Sequence, residues 1–241
     1  MTHILDHIAE SLRGEFRPAS PDDYFALRLA ARLGEPAAAA HYTVLASQYP
    51  QETLLSALRR ATSCPKPGMV LGKLFHEFLT EKNGSDSITR PRLMALRVER
   101  RVVATAVFTG THLEGRRILQ LSSNPDKAAS SVASFIRSVL SESDCRCAAI
   151  EQAPNRADIL RSVLHRAAVA QIRTTNLSLW EISQQALYSA FSHPPVETRQ
   201  QLRDVAFGIW RLSELKQGQT CALDALALGL FVQTERMFND V

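Results

Sequence analysis

Leu93-Met-Ala-Leu-Arg-Val-Glu99, Arg101-Val-Val-Ala-Thr-Ala-Val-Phe-Thr109 and Arg116-Arg-Ile-Leu-Gln-Leu-Ser122 follow one another with only short breaks between them, and their reading decides the fold. All three are rich in Val, Leu, Ile or Ala, residues that fit a pleated, half-buried surface. The pattern predicts two strands joined by a tight turn at Arg100, a second turn over residues 111–115, and a third strand. Working outward, Ala128, Val132, Phe135, Ile136, Val139 and Leu140 recur at helical spacing and predict a helix over residues 125–142. A strand at 145–151, a helix at 155–168, a short strand at 169–174 and helices at 179–191, 195–215 and 220–238 follow. Three hairpin-linked strands and then helix-connected ones imply a mixed sheet with helices on its faces.

Upstream, residues 83–91 form the most turn-rich interior segment and mark a domain boundary. Before it the punctuation is helical: Pro21 and Asp22 open a segment ending at Gly34, Pro36 opens another, and Pro50 a third through Ser63. The expected organisation is an all-helical domain over residues 1–85 and an α/β domain over 91–241. The first ninety residues carry 10 basic and 10 acidic side chains, so of the chain's 28 basic and 24 acidic residues the second part holds 18 and 14, and with them the whole net charge of +4. All but Lys127 and Lys216 of those basic residues are Arg, which suits bidentate phosphate recognition, although base composition of the coding sequence would give the same bias.

The 45% hydrophobic and 22% charged residues over 241 positions describe an ordinary globular chain. No apolar run approaches the ~20 residues of a membrane helix, and residues 1–13 lack the basic start and apolar core of a secretory signal, so a cytoplasmic location without membrane contact is expected. Cys64, Cys145, Cys147 and Cys221 are too scattered for a disulfide framework or a zinc site and read as reduced thiols. No glycine-rich phosphate loop of the G-x-x-x-x-G-K type occurs.

The element order βββαβαβααα is the layout of the ribonuclease H fold, and three segments within it resemble the RuvC-type Holliday-junction resolvases. Cys147-Ala-Ala-Ile-Glu151-Gln is similar to that family's fourth strand with its metal-binding Glu. Trp180-Glu-Ile-Ser-Gln-Gln-Ala-Leu and Pro195-Val-Glu-Thr-Arg-Gln-Gln-Leu-Arg resemble the two helices before its last. Gln219-Thr-Cys-Ala-Leu-Asp224-Ala-Leu-Ala-Leu-Gly-Leu resembles the last-helix motif Asp-x-x-Asp-Ala-Leu-Ala. The resemblance spans roughly residues 93–238. It implies a homodimer acting on branched or duplex DNA, with two Mg²⁺ ions about 4 Å apart held by one Asp of the first strand, one Glu of the fourth and two Asp of the last helix.

Two of those four acids are missing here. Aligning the first hairpin puts Arg97 at the first-strand Asp, and Cys221 stands at the first Asp of the last helix, leaving Glu151 and Asp224. Ser183 falls where the family has a lysine. Glu99, two residues from Arg97, is the one acid that a shifted register offers as a substitute ligand. A buried carboxylate needs a partner, so the residues predict an Arg97 network with Glu151 or Asp224 in preference to metal binding at those acids. Three functions compete: a DNA-binding protein with an eroded nuclease site that requires no cofactor, an active Mg²⁺-dependent endonuclease, and a noncatalytic protein-interaction scaffold.

Arg100, Arg101, Arg116 and Arg117 offer either a phosphate-contacting rim or a charged strand edge that discourages edge pairing. The His3/His7 pair, the singles His76 and His165, and the Ser189, Ser192, His193 group read as structural. A helix-turn-helix at 36–63, with Arg59 and Arg60 on its second helix, competes with a packing role or an unidentified protein partner for the N-terminal helices, and the zero net charge of that part favours the latter two.

Overall fold

The computed structural model describes residues 92–110, 112–153, 158–192, 195–210 and 219–239, together with Arg17, Pro18, Pro21, Tyr24 and Arg28. The expected N-terminal helical domain, its helix-turn-helix and the His3/His7 pair otherwise lie outside these residues. The elements are β1 (Arg92–Val98), β2 (Val102–Thr109), β3 (His112–Gln120), α1 (Pro125–Ser143), β4 (Cys145–Glu151), α2 (Ile159–Arg173), β5 (Ser178–Ile182), α3 (Gln184–Ser189), α4 (Arg199–Trp210) and α5 (Thr220–Asn239).

The five strands form one sheet in the order β3-β2-β1-β4-β5. β1 pairs antiparallel with β2 and parallel with β4; β2 and β3 are antiparallel, and β4 and β5 parallel. Leu93 to Val98 are all buried, as a central strand covered on both faces requires. Alternation divides the sheet. Met94, Leu96, Val98, Ala148 and Ile150 face α1 and α2 through Val132, Ile136, Leu164 and Ala168, whereas Leu93, Ala95, Ala106, Phe108 and Ala149 face the helices α3 to α5. The outcome is the expected ribonuclease H-like layout, a mixed five-stranded sheet flanked by helices. Among the described residues no helix is long and apolar enough to cross a membrane.

Local chemistry explains the boundaries. Asn124 starts α1 by accepting from the amides of Asp126 (3.1 Å) and Lys127 (3.0 Å), with Pro125 following it. Three expectations are corrected. The strand expected at 169–174 is the last part of α2, because Leu164, Ala168 and Ile172 extend one buried helical stripe, and the helix expected at 179–191 is instead β5 (Ser178–Ile182) followed by the short α3 (Gln184–Ser189). The turn expected at 111–115 is earlier, at Gly110, whose φ of +55° favours glycine, and β3 runs from His112 through a bulge opposite Val107 and Phe108.

α5 is apolar on nearly every side and is buried from Cys221 to Thr234. It crosses the sheet closely at Gly229, where a β-carbon would lie 2.2 Å from Phe108 Cε2 and 3.0 Å from Ala95 Cβ. Gly229→Ala is therefore expected to destabilise the domain by about 1–3 kcal/mol, the usual cost of overpacking, read as a lower denaturation midpoint; an unchanged midpoint would mean that α5 sits farther from the sheet. Tyr24, fully buried, stacks on Phe191 at 4.3 Å, and Arg28 bonds Glu235 and lies 5.3 Å over Phe231, so these two N-terminal residues join the core around α5.

Candidate functional site

The sheet face that carries α4 and α5 ends, at the C-terminal ends of β1 and β4, in charged rather than apolar residues. Arg97 follows Leu93 and Ala95 on that face, Glu151 follows Cys147 and Ala149, and α5 brings Asp224 over both. All three side chains are at most 4% exposed. Arg97 reaches Glu151 Oε2 through Nη1 at 2.6 Å and Asp224 Oδ2 through Nε at 3.5 Å, and its Nε donates to Glu99 Oε1 at 2.9 Å. One guanidinium thus touches three carboxylates.

Two further arginines come from α4, spaced i, i+4 and therefore on one helix face. Arg199 forks onto Glu151, with Nη1 donating to Oε2 at 2.7 Å and Nη2 to Oε1, and lies 5.4 Å over the Tyr188 ring. Arg203 holds Asp224 by two bonds, Nε to Oδ1 at 2.9 Å and Nη2 to Oδ2 at 2.7 Å. A fourth, Arg161 of α2, donates Nε to the Val98 carbonyl at 3.2 Å and stands 3.9 Å from Glu99. His165, also on α2, lies 3.0 Å from the Glu151 carbonyl oxygen.

Burial alone would raise the Glu151 carboxyl, but the Arg199 hydrogen bonds, with the charge of Arg97 added, hold it below its ordinary value. At Asp224 burial dominates and holds the carboxyl above its ordinary value, against the bonds from Arg203 and the charges of Arg97 and Arg199. Cys221 lies one helical turn before Asp224, with its thiol 3.6 Å from the Arg97 carbonyl oxygen, and burial pushes it up to about 12. It is a neutral thiol. Ser183 caps α3 by accepting from the Ala186 amide at 3.1 Å.

A divalent metal of the kind that the resemblance implies needs carboxylate oxygens that are free to converge on it. Here Glu99, Glu151 and Asp224 converge on guanidinium groups, Arg97 lies among all three, and no group of three or more His, Cys, Asp or Glu among the described residues is arranged to hold a metal. These residues do not fit a Mg²⁺ pair.

The structure therefore brings together Arg97, Glu99, Glu151, Cys221 and Asp224. It does not gather the four surface arginines into one patch. Arg100, at the β1–β2 turn, lies 3.3 Å from Asp158, and Arg101 beside it is exposed. Arg116 and Arg117 sit in mid-β3 opposite Ala106 and Thr105, so strand alternation points them to opposite faces, with Arg117 paired to Glu142 of α1. Sequence reasoning assigned no role to Arg161, Arg199 and Arg203. The available signal was the i, i+4 arginine pair on a helix whose remaining face is apolar, next to two acids that burial obliges to find partners.

No family model matches the chain, and no curated protein matches it in sequence. Among solved structures it is similar to Thermus thermophilus RuvC in complex with a Holliday junction substrate, with a TM-score of 0.49 and 13% identity over 62% of this chain and 95% of that one. Another Thermus thermophilus RuvC structure gives 0.47 with the same identity and coverage. The yeast mitochondrial Holliday junction resolvase Ydc2 gives 0.45 and 13% identity over 77% of this chain and 95% of that one.

Proposed function

We propose that residues 91–241 form a DNA-binding domain that recognises duplex or branched DNA through its phosphates and does not cleave it, the nuclease centre having been exchanged for an arginine–carboxylate network. The observation that carries this reading is Arg97, whose guanidinium contacts Glu99, Glu151 and Asp224 at the point where a metal centre would need those acids free. A fixed monovalent cation satisfies the buried acids, but unlike a hydrated Mg²⁺ it offers no coordination position at which to activate a water or hold a leaving oxygen. The binding half of the reading rests on the arginine-rich charge of this part of the chain and on the resemblance of residues 147–152 and 219–230 to a resolvase.

The test pairs a salt-dependent gel shift with a cleavage assay, using a four-way junction, a duplex and a single strand. Binding to the junction or the duplex, weakening with salt and without nicking in Mg²⁺ or Mn²⁺, is expected. Cleavage abolished by Glu151→Gln would establish a working endonuclease instead, and absence of binding at low salt would leave a protein-interaction scaffold.

A further inference from the structure

The network is layered. Its acids Glu151 and Asp224 have side chains 2% and 0% exposed, whereas Arg161, Arg199 and Arg203 above them keep 19%, 18% and 20%. Four arginines (97, 161, 199, 203) face three acids (99, 151, 224), and four minus three leaves a charge of +1. Arg161 is the least compensated of the four. Neither of its Nη groups makes a hydrogen bond among the described residues, and its single carboxylate contact, to Glu99, is at 3.9 Å. Burial, with the positive charge of Arg97 added, lowers its pKa against the opposing carboxylates of Glu99 and Glu151.

We propose that this arginine layer, with the Nη groups of Arg161 that make no hydrogen bond among the described residues, binds a backbone phosphate of DNA directly and without a metal. This rests on the DNA-binding reading above and states how the site works within it. In a metal nuclease the acids recruit the cation that meets the phosphate; here the cations are covalent, and the acids oppose the ligand. The two arrangements predict opposite responses at the same residue. Removing an acid weakens a metal site and strengthens an arginine site.

Glu99 and Arg161 allow the test without stripping a buried acid, because Glu151 and Asp224 keep Arg97, Arg199 and Arg203. Gel shifts on duplex and four-way junction DNA in EDTA, over a series of salt concentrations, would compare the full-length protein with Glu99→Gln, Arg161→Gln and Arg161→Lys, each checked for an unchanged melting profile. Glu99→Gln is expected to tighten binding several-fold. Arg161→Gln should weaken it about tenfold and reduce the slope of log K against log salt by about one, the signature of one lost phosphate contact, and Arg161→Lys should restore the slope. Binding by the unmodified protein with the same affinity and slope in every variant would overturn the inference and leave DNA binding to another surface. An Arg161→Gln variant that melts early would be replaced by Arg161→Met, which keeps the side-chain stem, and read in the same way. No DNA binding by the unmodified protein would overturn both readings together.

Discussion

Arg97→Ala is expected to lower the unfolding free energy by about 3–5 kcal/mol, the usual cost of removing one partner from a buried ion pair, and with it the melting temperature by roughly 10 °C for a domain of this size. Arg97 is 3% exposed and touches three carboxylates; without it Glu151 depends on Arg199 and Asp224 on Arg203, each across the partly solvated α4. Packing and charge can be separated. Arg97→Met fills most of the volume without the charge, so it should remain nearly as destabilised as the alanine variant. If methionine restores wild-type stability, the guanidinium is a filler and the ion network contributes little.

The reverse change should create what the site lacks. Arg97→Asp with Cys221→Asp alters the local charge by minus two and minus one, turning +1 into −2 while Arg161, Arg199 and Arg203 remain. Both new carboxylates are buried beside Glu151 and Asp224, and the one at position 221 meets the Arg97 and Val102 carbonyl oxygens that now lie 3.6 and 4.0 Å from the thiol. In EDTA this variant should melt well below the parent. Adding Mn²⁺ or Mg²⁺ should recover much of the loss, since an ion that binds only the folded state stabilises it by about 2.7 kcal/mol at one hundred times its Kd. Calorimetric melting in EDTA and in excess Mn²⁺ reads the effect directly, and a metal-insensitive melting temperature would show that Arg199 and Arg203 still exclude the ion.

The sheet was legible because its signals are local. Short apolar runs bounded by charged and turn residues place β1, β2 and β4 almost to the residue, and Cys145–Glu151 coincides with its expected range. Residues 169–174 failed as a strand because Val169 and Ile172 favour β structure in isolation, whereas the buried positions of α2 continue through them at helical spacing. At the site, Arg97, Glu151 and Asp224 could be singled out from the sequence because each stands at a recognisable motif position. Arg161, Arg199 and Arg203 could not, because their role depends on how α2 and α4 dock at the ends of β1 and β4. Arg161 meets a backbone carbonyl 63 residues away, and Arg199 an acid 48 residues away. Pairings of that kind are set by tertiary structure, and a single sequence carries only the requirement that the buried acids be satisfied.

Whether Arg97 has taken over the role of a metal ion is decided most directly by titrating the unmodified protein with Mn²⁺, following heat of binding and melting temperature together. No saturable binding and the same melting temperature in EDTA and in millimolar Mn²⁺ are expected, because the carboxylates are already held by guanidinium groups. Saturable Mn²⁺ binding that raises the melting temperature and disappears in Glu151→Gln and Asp224→Asn would contradict this and make the site a metal centre.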